Sequence, residues 1–270
     1  MSRIKEKFEK LKKEERKGFI PFVSAGDPNI ETSKEIVLAL VENGADIIEL
    51  GVPFTDPMAD GPTIQASSQR ALEHDVSIND ILEMVREIRK ATDVPIVLFS
   101  YLNPLYRYGF ENLSIDARNA GVDGILVTDA IDDEASEISA ILASHDLDLI
   151  SLIAPTTSEG RLEQIAKSAT GFIYAVSRAG VTGAQAETSD AAKELVERVR
   201  RYTDLPIAVG FGISTRQQIE EVWRYADAAV VGSAIVAAIE RSIPDGDTVE
   251  RVTEFVHKLL PQFANKNAEI

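Results

Sequence analysis

In the run DIIELGV (46–52) a single glutamate, Glu49, stands among apolar side chains near the carboxyl end of the run. A charge buried in a strand costs several kcal/mol unless it is paired or used. None of the other apolar runs offers an interior Lys or Arg to pair with it. Glu49 therefore reads as a carboxylate with an adjustable pKa, suited to general acid or base work, with a buried ion pair as the structural alternative. The adjoining segment, GVPFTDPMADGPTIQ (51–65), adds Asp56 and Asp60 among three prolines. Proline stiffens the backbone, so these carboxylates are held in place, although Asp before Pro or Gly is also ordinary turn chemistry. Two carboxylates in different environments can divide acid and base roles. Further along, GFGIST (210–215) and GSA (232–234) each follow an apolar run and open a helix. Glycines admit backbone N–H groups close to a ligand, and helix N-termini favour anions, so the pair reads as a phosphate cradle, with plain turn glycine as the alternative.

What is missing narrows the chemistry. The chain has no Cys, which removes disulfides, thiolate metal sites and a thiol nucleophile. His74, His145 and His257 are scattered over helical segments and assemble neither a metal triad nor a Ser-His-Asp triad. No Lys ends a strand, so a Schiff-base nucleophile is lacking, and no GxGxxG follows the first strand. With 28 basic against 44 acidic residues the net charge is −16, which disfavours nucleic acid and anionic membranes. Backbone amides can still hold a small phosphate locally inside that field. The remaining chemistry is carboxylate acid–base work on a phosphorylated small molecule, without metal or cofactor.

Eight short apolar runs must position these groups: FIPFVSA (19–25), DIIELGV (46–52), PIVLFSY (95–101), DGILVTD (123–129), DLISLIA (148–154), GFIYAVS (171–177), PIAVGFG (206–212) and DAAVVGS (227–233). Helical patterns such as 32–41 and 81–88 lie between them, and continuous apolar runs alternating with helices argue buried parallel strands in βα units. Eight units over 270 residues without a linker or composition break predict one α/β domain, residues 1–270, folded as a (β/α)8 TIM barrel. An open doubly wound sheet is the structural alternative. Ile4, Phe8 and Leu11 repeat at helical spacing in the charged opening stretch and predict an amphipathic capping helix. Extended loops follow strand two, with an extra helix around 65–73, and strand six, at 177–188; both leave the barrel's active-site face. The opening residues lack the apolar core of a signal peptide, and no run approaches the length of a membrane span, so a cytoplasmic location is expected.

The chain resembles the tryptophan synthase alpha chain family over essentially its whole length. The strings that carry the likeness are FIPFVSAGDP (19–28), ELGVPFTDPMADGPTIQ (49–65), YLNPLYRYG (101–109), VSRAGVTGA (176–184), VGFGIS (209–214) and VVGSAIV (230–236). The resemblance implies retro-aldol cleavage of indole-3-glycerol phosphate to indole and glyceraldehyde 3-phosphate, for L-tryptophan biosynthesis. It gives Glu49 the role of acid–base carboxylate and Asp60 that of the carboxylate bonded to the indole N–H. It places Phe22, Phe99, Tyr101, Leu126 and Tyr174 around the indole. Thr182 matches a closing loop that orients Asp60, and Gly183, Phe211, Gly212, Gly232 and Ser233 match a phosphate cradle. It further implies a beta chain partner, carrying pyridoxal phosphate, in an α2β2 complex. The 53–60 loop and residues 101–108 sit where the family meets that partner, and loop closure is expected to need it. Two departures stand out: Asp129-Ala130-Ile131-Asp132 replaces the family's Asp-apolar-Pro after strand four, and Phe99 replaces a smaller aliphatic wall. Two other readings fit the same residues, a stand-alone indole-releasing lyase and a non-catalytic activator of a beta chain.

Overall fold

The computed structural model describes residues 2–130, 132–177, 188–210 and 212–261. Eight parallel strands close into a barrel in sequence order, so the open-sheet alternative falls. They are β1 (Gly18–Ser24), β2 (Ile48–Gly51), β3 (Ile96–Ser100), β4 (Gly124–Val127), β5 (Asp148–Ile153), β6 (Ile173–Val176), β7 (Ile207–Gly210) and β8 (Ala228–Val231). Each lies inside one of the eight apolar runs; Gly18, which opens β1, is the one exception. β1 pairs with β8, which closes the ring without a free edge.

Side chains alternate across the wall of the barrel. One set faces inward and packs as Ile20, Ile47, Val97, Leu126, Ile150, Phe172, Tyr174, Ala208, Ala228 and Val230. The other set faces the helical shell and joins a larger cluster that includes Ile48, Leu50, Ile96, Leu98 and Ile125. A strand buried on both faces has no polar alternate position, which is why these runs read as continuously apolar. Glu49 lies between Ile48 and Leu50, and the register puts it beside Phe22 on β1 and Val97 on β3, on the inward set.

Helix α1 (Arg3–Lys13) is the expected capping helix. Its Ile4, Phe8 and Leu11 are buried in the inward cluster, and Phe8 meets Phe172 at 5.7 Å between ring centroids. Burying each such side chain contributes on the order of 2 kcal/mol, so α1 is a floor for the barrel and not a loose arm. Ser2 caps it by accepting from the Lys5 N–H.

After β2 come two helices, α3 (Pro62–Leu72) and α4 (Ile78–Arg89). The first starts three residues before the expected 65, because Pro62 takes the first helical position, where its missing N–H costs nothing. A short helix that the sequence reading lacked, α5 (Leu102–Tyr108), follows β3 directly and leads through Gly109 into α6 (Phe110–Ala120). The shell also contains α2 (Ile30–Glu42), α7 (Asp132–Ser144), α8 (Glu159–Ser168), α9 (Thr188–Val199), α10 (Arg216–Val222), α11 (Ser233–Ser242) and α12 (Thr248–Leu259). The loop expected after strand six falls almost wholly on 178–187, outside the described residues. Among the described residues no helix is long and apolar enough to cross a membrane.

Candidate active site

At the carboxyl ends of the strands lies a cavity of about 250 Å³. β1 and β3 supply Phe22 and Phe99, whose rings meet edge to face at 5.4 Å, and β6 supplies Tyr174, 6.3 Å from Phe99. Glycine makes room for two of these rings. A Cβ on Gly51 would stand 2.4 Å from the Phe22 ring, and one on Gly210 would collide with the Tyr174 hydroxyl oxygen. The result is a slot with aromatic walls that is open towards the rim.

Glu49 reaches this cavity from β2 and is fully buried. Neither of its carboxylate oxygens has a hydrogen-bond partner among the described residues. Burial alone pushes its pKa up to about 8, so the group is mainly protonated at neutral pH. No described residue forms the buried ion pair held open as the structural alternative for Glu49. Tyr174 is its electrostatic neighbour: burial and then the charge of Glu49 raise the phenol well above its ordinary value.

Asp60 enters from the loop between β2 and α3. Its N–H donates to the Pro57 carbonyl at 3.1 Å, and its own carbonyl accepts from the Gln65 side chain at 2.8 Å. Burial raises its pKa to about 6, with a hydrogen bond from Tyr101 working in the opposite direction. Asp56, the other carboxylate of this loop, is exposed and does not line the cavity.

Tyr101 and Leu126 are placed differently from the aromatic slot. Tyr101 follows β3, stacks on Phe54 at 5.3 Å, and its hydroxyl accepts from the Ala59 N–H at 2.9 Å while bonding to Asp60. It fastens the Asp60 loop and is not among the residues lining the cavity. Leu126 is fully buried next to Phe99 in the β3–β4 register and belongs to the inward-facing packing cluster. Inward side chains from one strand lie at different heights, and spacing alone does not tell which height opens to the cavity.

Gly212, Gly232 and Ser233 line the cavity beside the aromatic slot. Helix α11 begins at Ser233 with Gly232 before it, and no side chain caps its N-terminus. Helix α10 differs from expectation: Thr215 and Gln218 form a capping box, and Gln218 Oε1 accepts from the N–H groups of Ser214 and Thr215. The N–H groups of Ser214, Thr215 and Gln218 are thus already taken, which leaves the Gly212 turn and the α11 N-terminus as the more anion-friendly elements at this end. Thr182, Gly183 and Phe211 lie outside the described residues.

The sequence reading missed one wall. Gly61, Pro62, Thr63 and Ile64, the first turn of α3, also face the cavity. The signal was present in Gly61-Pro62, which marks a helix start directly after Asp60 and so points that turn at whatever Asp60 faces. The fourth loop keeps its Asp: Asp129 accepts from the Leu102 N–H and caps α5 from outside. Among the described residues no three His, Cys, Asp or Glu side chains gather as a metal site.

A family model described as tryptophan synthase alpha chain matches residues 8–264. A tryptophan synthase alpha chain from Desulfosudis oleivorans is 47% identical over 259 residues, covering 94% of this chain and 98% of the relative. The crystal structure of the alpha subunit from Legionella pneumophila superposes with a TM-score of 0.90 at 35% identity, covering 98% of this chain and 99% of that one. A structure of the tryptophan synthase α2β2 complex of Pyrococcus furiosus gives a TM-score of 0.82 at 37% identity, covering 90% of this chain and 97% of that one.

Proposed function

Since the chain belongs to the tryptophan synthase alpha chain family, we propose that it cleaves indole-3-glycerol phosphate to indole and glyceraldehyde 3-phosphate by carboxylate acid–base catalysis. The observation that carries the mechanism is Glu49, a buried carboxyl without a hydrogen-bond partner among the described residues, in an aromatic slot. The indole lies between Phe22, Phe99 and Tyr174. Glu49, mainly protonated at neutral pH, gives its proton to indole C3 and so turns the ring into an electron acceptor. It then takes the proton of the adjacent glycerol hydroxyl. The carbonyl of glyceraldehyde 3-phosphate forms, the C–C bond breaks, and its electron pair restores the indole. Glu49 ends protonated, ready for another cycle.

Asp60, with its lower pKa of about 6, is the ionised partner and accepts from the indole N–H as positive charge develops on the ring. Tyr101 holds Asp60 to this task from outside the slot, and Leu126 backs the wall as the strand neighbour of Phe99. The phosphate sits at Gly212, Gly232 and Ser233, where the uncapped N-terminus of α11 favours an anion. Gly183 and Phe211 complete that cradle and Thr182 closes over Asp60, on the strength of the family likeness.

No metal or cofactor enters these steps. Pyridoxal phosphate belongs to the beta chain, with which this chain forms an α2β2 complex in the cytoplasm. Support for that docking surface comes from the rim: Met58 on the 53–60 loop and Tyr106 on α5 are 89% and 72% exposed, the most exposed large apolar side chains described. Indole release from indole-3-glycerol phosphate, followed with and without a beta chain, tests the proposal. Release that rises with the partner supports it. Full turnover alone would select the stand-alone lyase, and no release with the partner present would select the non-catalytic activator.

A further inference from the structure

In the proposed reading the cavity has an aromatic and carboxylate part and an anion part, and helices α3 and α11 contribute to them separately. The first turn of α3 lines the one, and the start of α11 lines the other. Both helices then run back along the outside of β1. Where they pass, Arg70 of α3 spans the gap. Its Nε and Nη2 donate to the two carboxylate oxygens of Asp27 at 2.8 and 2.9 Å, and its Nη1 donates to Glu240 of α11 at 3.0 Å. Asp27, in the segment after β1, is buried, Arg70 is four-fifths buried, and Glu240 is half exposed. A second link lies one turn closer to the cavity. The Ser67 hydroxyl donates to the Ile64 carbonyl at 2.8 Å and so accepts from Ser24 of β1 at 2.6 Å. Ile64 itself lines the cavity.

We infer that Arg70 is a positioning residue that fixes the separation between the indole end and the phosphate end of the site. A planar guanidinium can hold both oxygens of one carboxylate and one of another in a single rigid arrangement, which an ammonium cannot reproduce. The three-residue bridge Asp27–Arg70–Glu240 thus ties β1, which carries Phe22, to α3, which follows Asp60, and to α11, which follows Gly232. None of the three charged groups lines the cavity, so the effect passes through the helices.

This inference rests on the proposed substrate, and the test separates the two. Dissociation constants are measured calorimetrically for indole alone, inorganic phosphate alone, and indole-3-propyl phosphate, a non-cleavable analogue that spans both ends. Wild-type protein that fails to bind the analogue overturns the substrate reading itself. In Arg70→Lys the analogue is expected to bind about tenfold more weakly while each fragment stays within about twofold, because a spacing error penalises only a ligand held at both ends. Equal weakening of all three ligands would make Arg70 merely structural, and no change in any would remove it from the site; either result overturns the inference. If Arg70→Lys does not fold, Glu240→Gln, at a half-exposed position, is read the same way. A loss of about threefold for the analogue alone supports the bridge, and an unchanged analogue affinity overturns it.

Discussion

At the amino-terminal end of the barrel, Asp46, Asp123 and Asp227 stand just before or at the start of β2, β4 and β8, and each is clamped in the same way. Each carboxylate accepts from the backbone N–H of the neighbouring odd strand: Phe19 at 3.1 Å, Ile96 at 2.9 Å and Ile207 at 2.9 Å. Each also meets two cations. Asp46 has Arg16 and Lys7, Asp123 has Arg3 and Arg89, and Asp227 has Arg200 and Lys17. At Asp227 burial works to raise the pKa, and the Ile207 N–H and Arg200 outweigh it to hold the group below its usual value. At the carboxyl-terminal end Glu49 is as buried as Asp46 and Asp123 and more deeply buried than Asp227, accepts from no described residue, and its pKa rises to about 8. The same residue chemistry is held by partners at one end of the barrel and left without a described partner at the other. Burial raises the pKa at both ends, and only at the amino-terminal end do partners offset it.

The strongest way to break that contrast is to remove the unpartnered carboxyl. Glu49→Gln keeps the shape and abolishes the proton transfer, so kcat should fall by about 10³-fold or more while analogue binding persists. Steady-state indole release and calorimetry check the two halves, and lost binding would move Glu49 to a structural role. Asp60→Asn should cost about 10²-fold in kcat/KM, since one charge-stabilising group is lost from the closed site.

At the other end the expected loss is of stability. Asp123→Asn leaves Arg89 buried without its counter-charge and should destabilise the fold by about 3 kcal/mol in urea titrations, with kcat per folded molecule unchanged. The opposite sign is expected at Glu49. Its folded pKa lies near 8 against a usual 4.5, so the folded chain loses stability as pH rises through that interval. Glu49→Gln is free of that loss and should be more stable than wild type at pH above about 8, by on the order of 5 kcal/mol. Below pH of about 4.5 the advantage should vanish, because Glu49 is then protonated in both states. Wild-type kcat/KM should rise as Asp60 ionises near 6 and fall as Glu49 ionises near 8. In Tyr101→Phe the acid limb should move upward, because the hydrogen bond holding the Asp60 pKa down is gone.

The barrel was legible because strands buried on both faces announce themselves as apolar runs, and the glutamate was legible because it interrupts one of them. What is less legible is depth. Tyr101 and Leu126 sit at strand ends or inward positions as expected, yet one fastens a loop and the other backs the wall. Sequence period reports the face of a strand but not the height along it. Helix α10 gave a similar lesson: a Gly-rich turn before a helix suggested free N–H groups, and Thr215 with Gln218 had already taken those of Ser214, Thr215 and Gln218. That S/T-x-x-Q spacing was readable in advance. The first turn of α3 was also readable from Gly61-Pro62, whereas the Arg70 bridge was not, since its members are 43 and 170 positions apart.

The floor made by α1 has a consequence for traffic. With Ile4, Phe8 and Leu11 seated among Ile47, Phe172 and their neighbours, the barrel is stoppered at one end. A substrate and its fragments therefore do not pass through that end, and their traffic falls to the carboxyl rim, where Met58 and Tyr106 project. Whatever settles on that rim governs entry, retention and the direction in which an apolar product leaves.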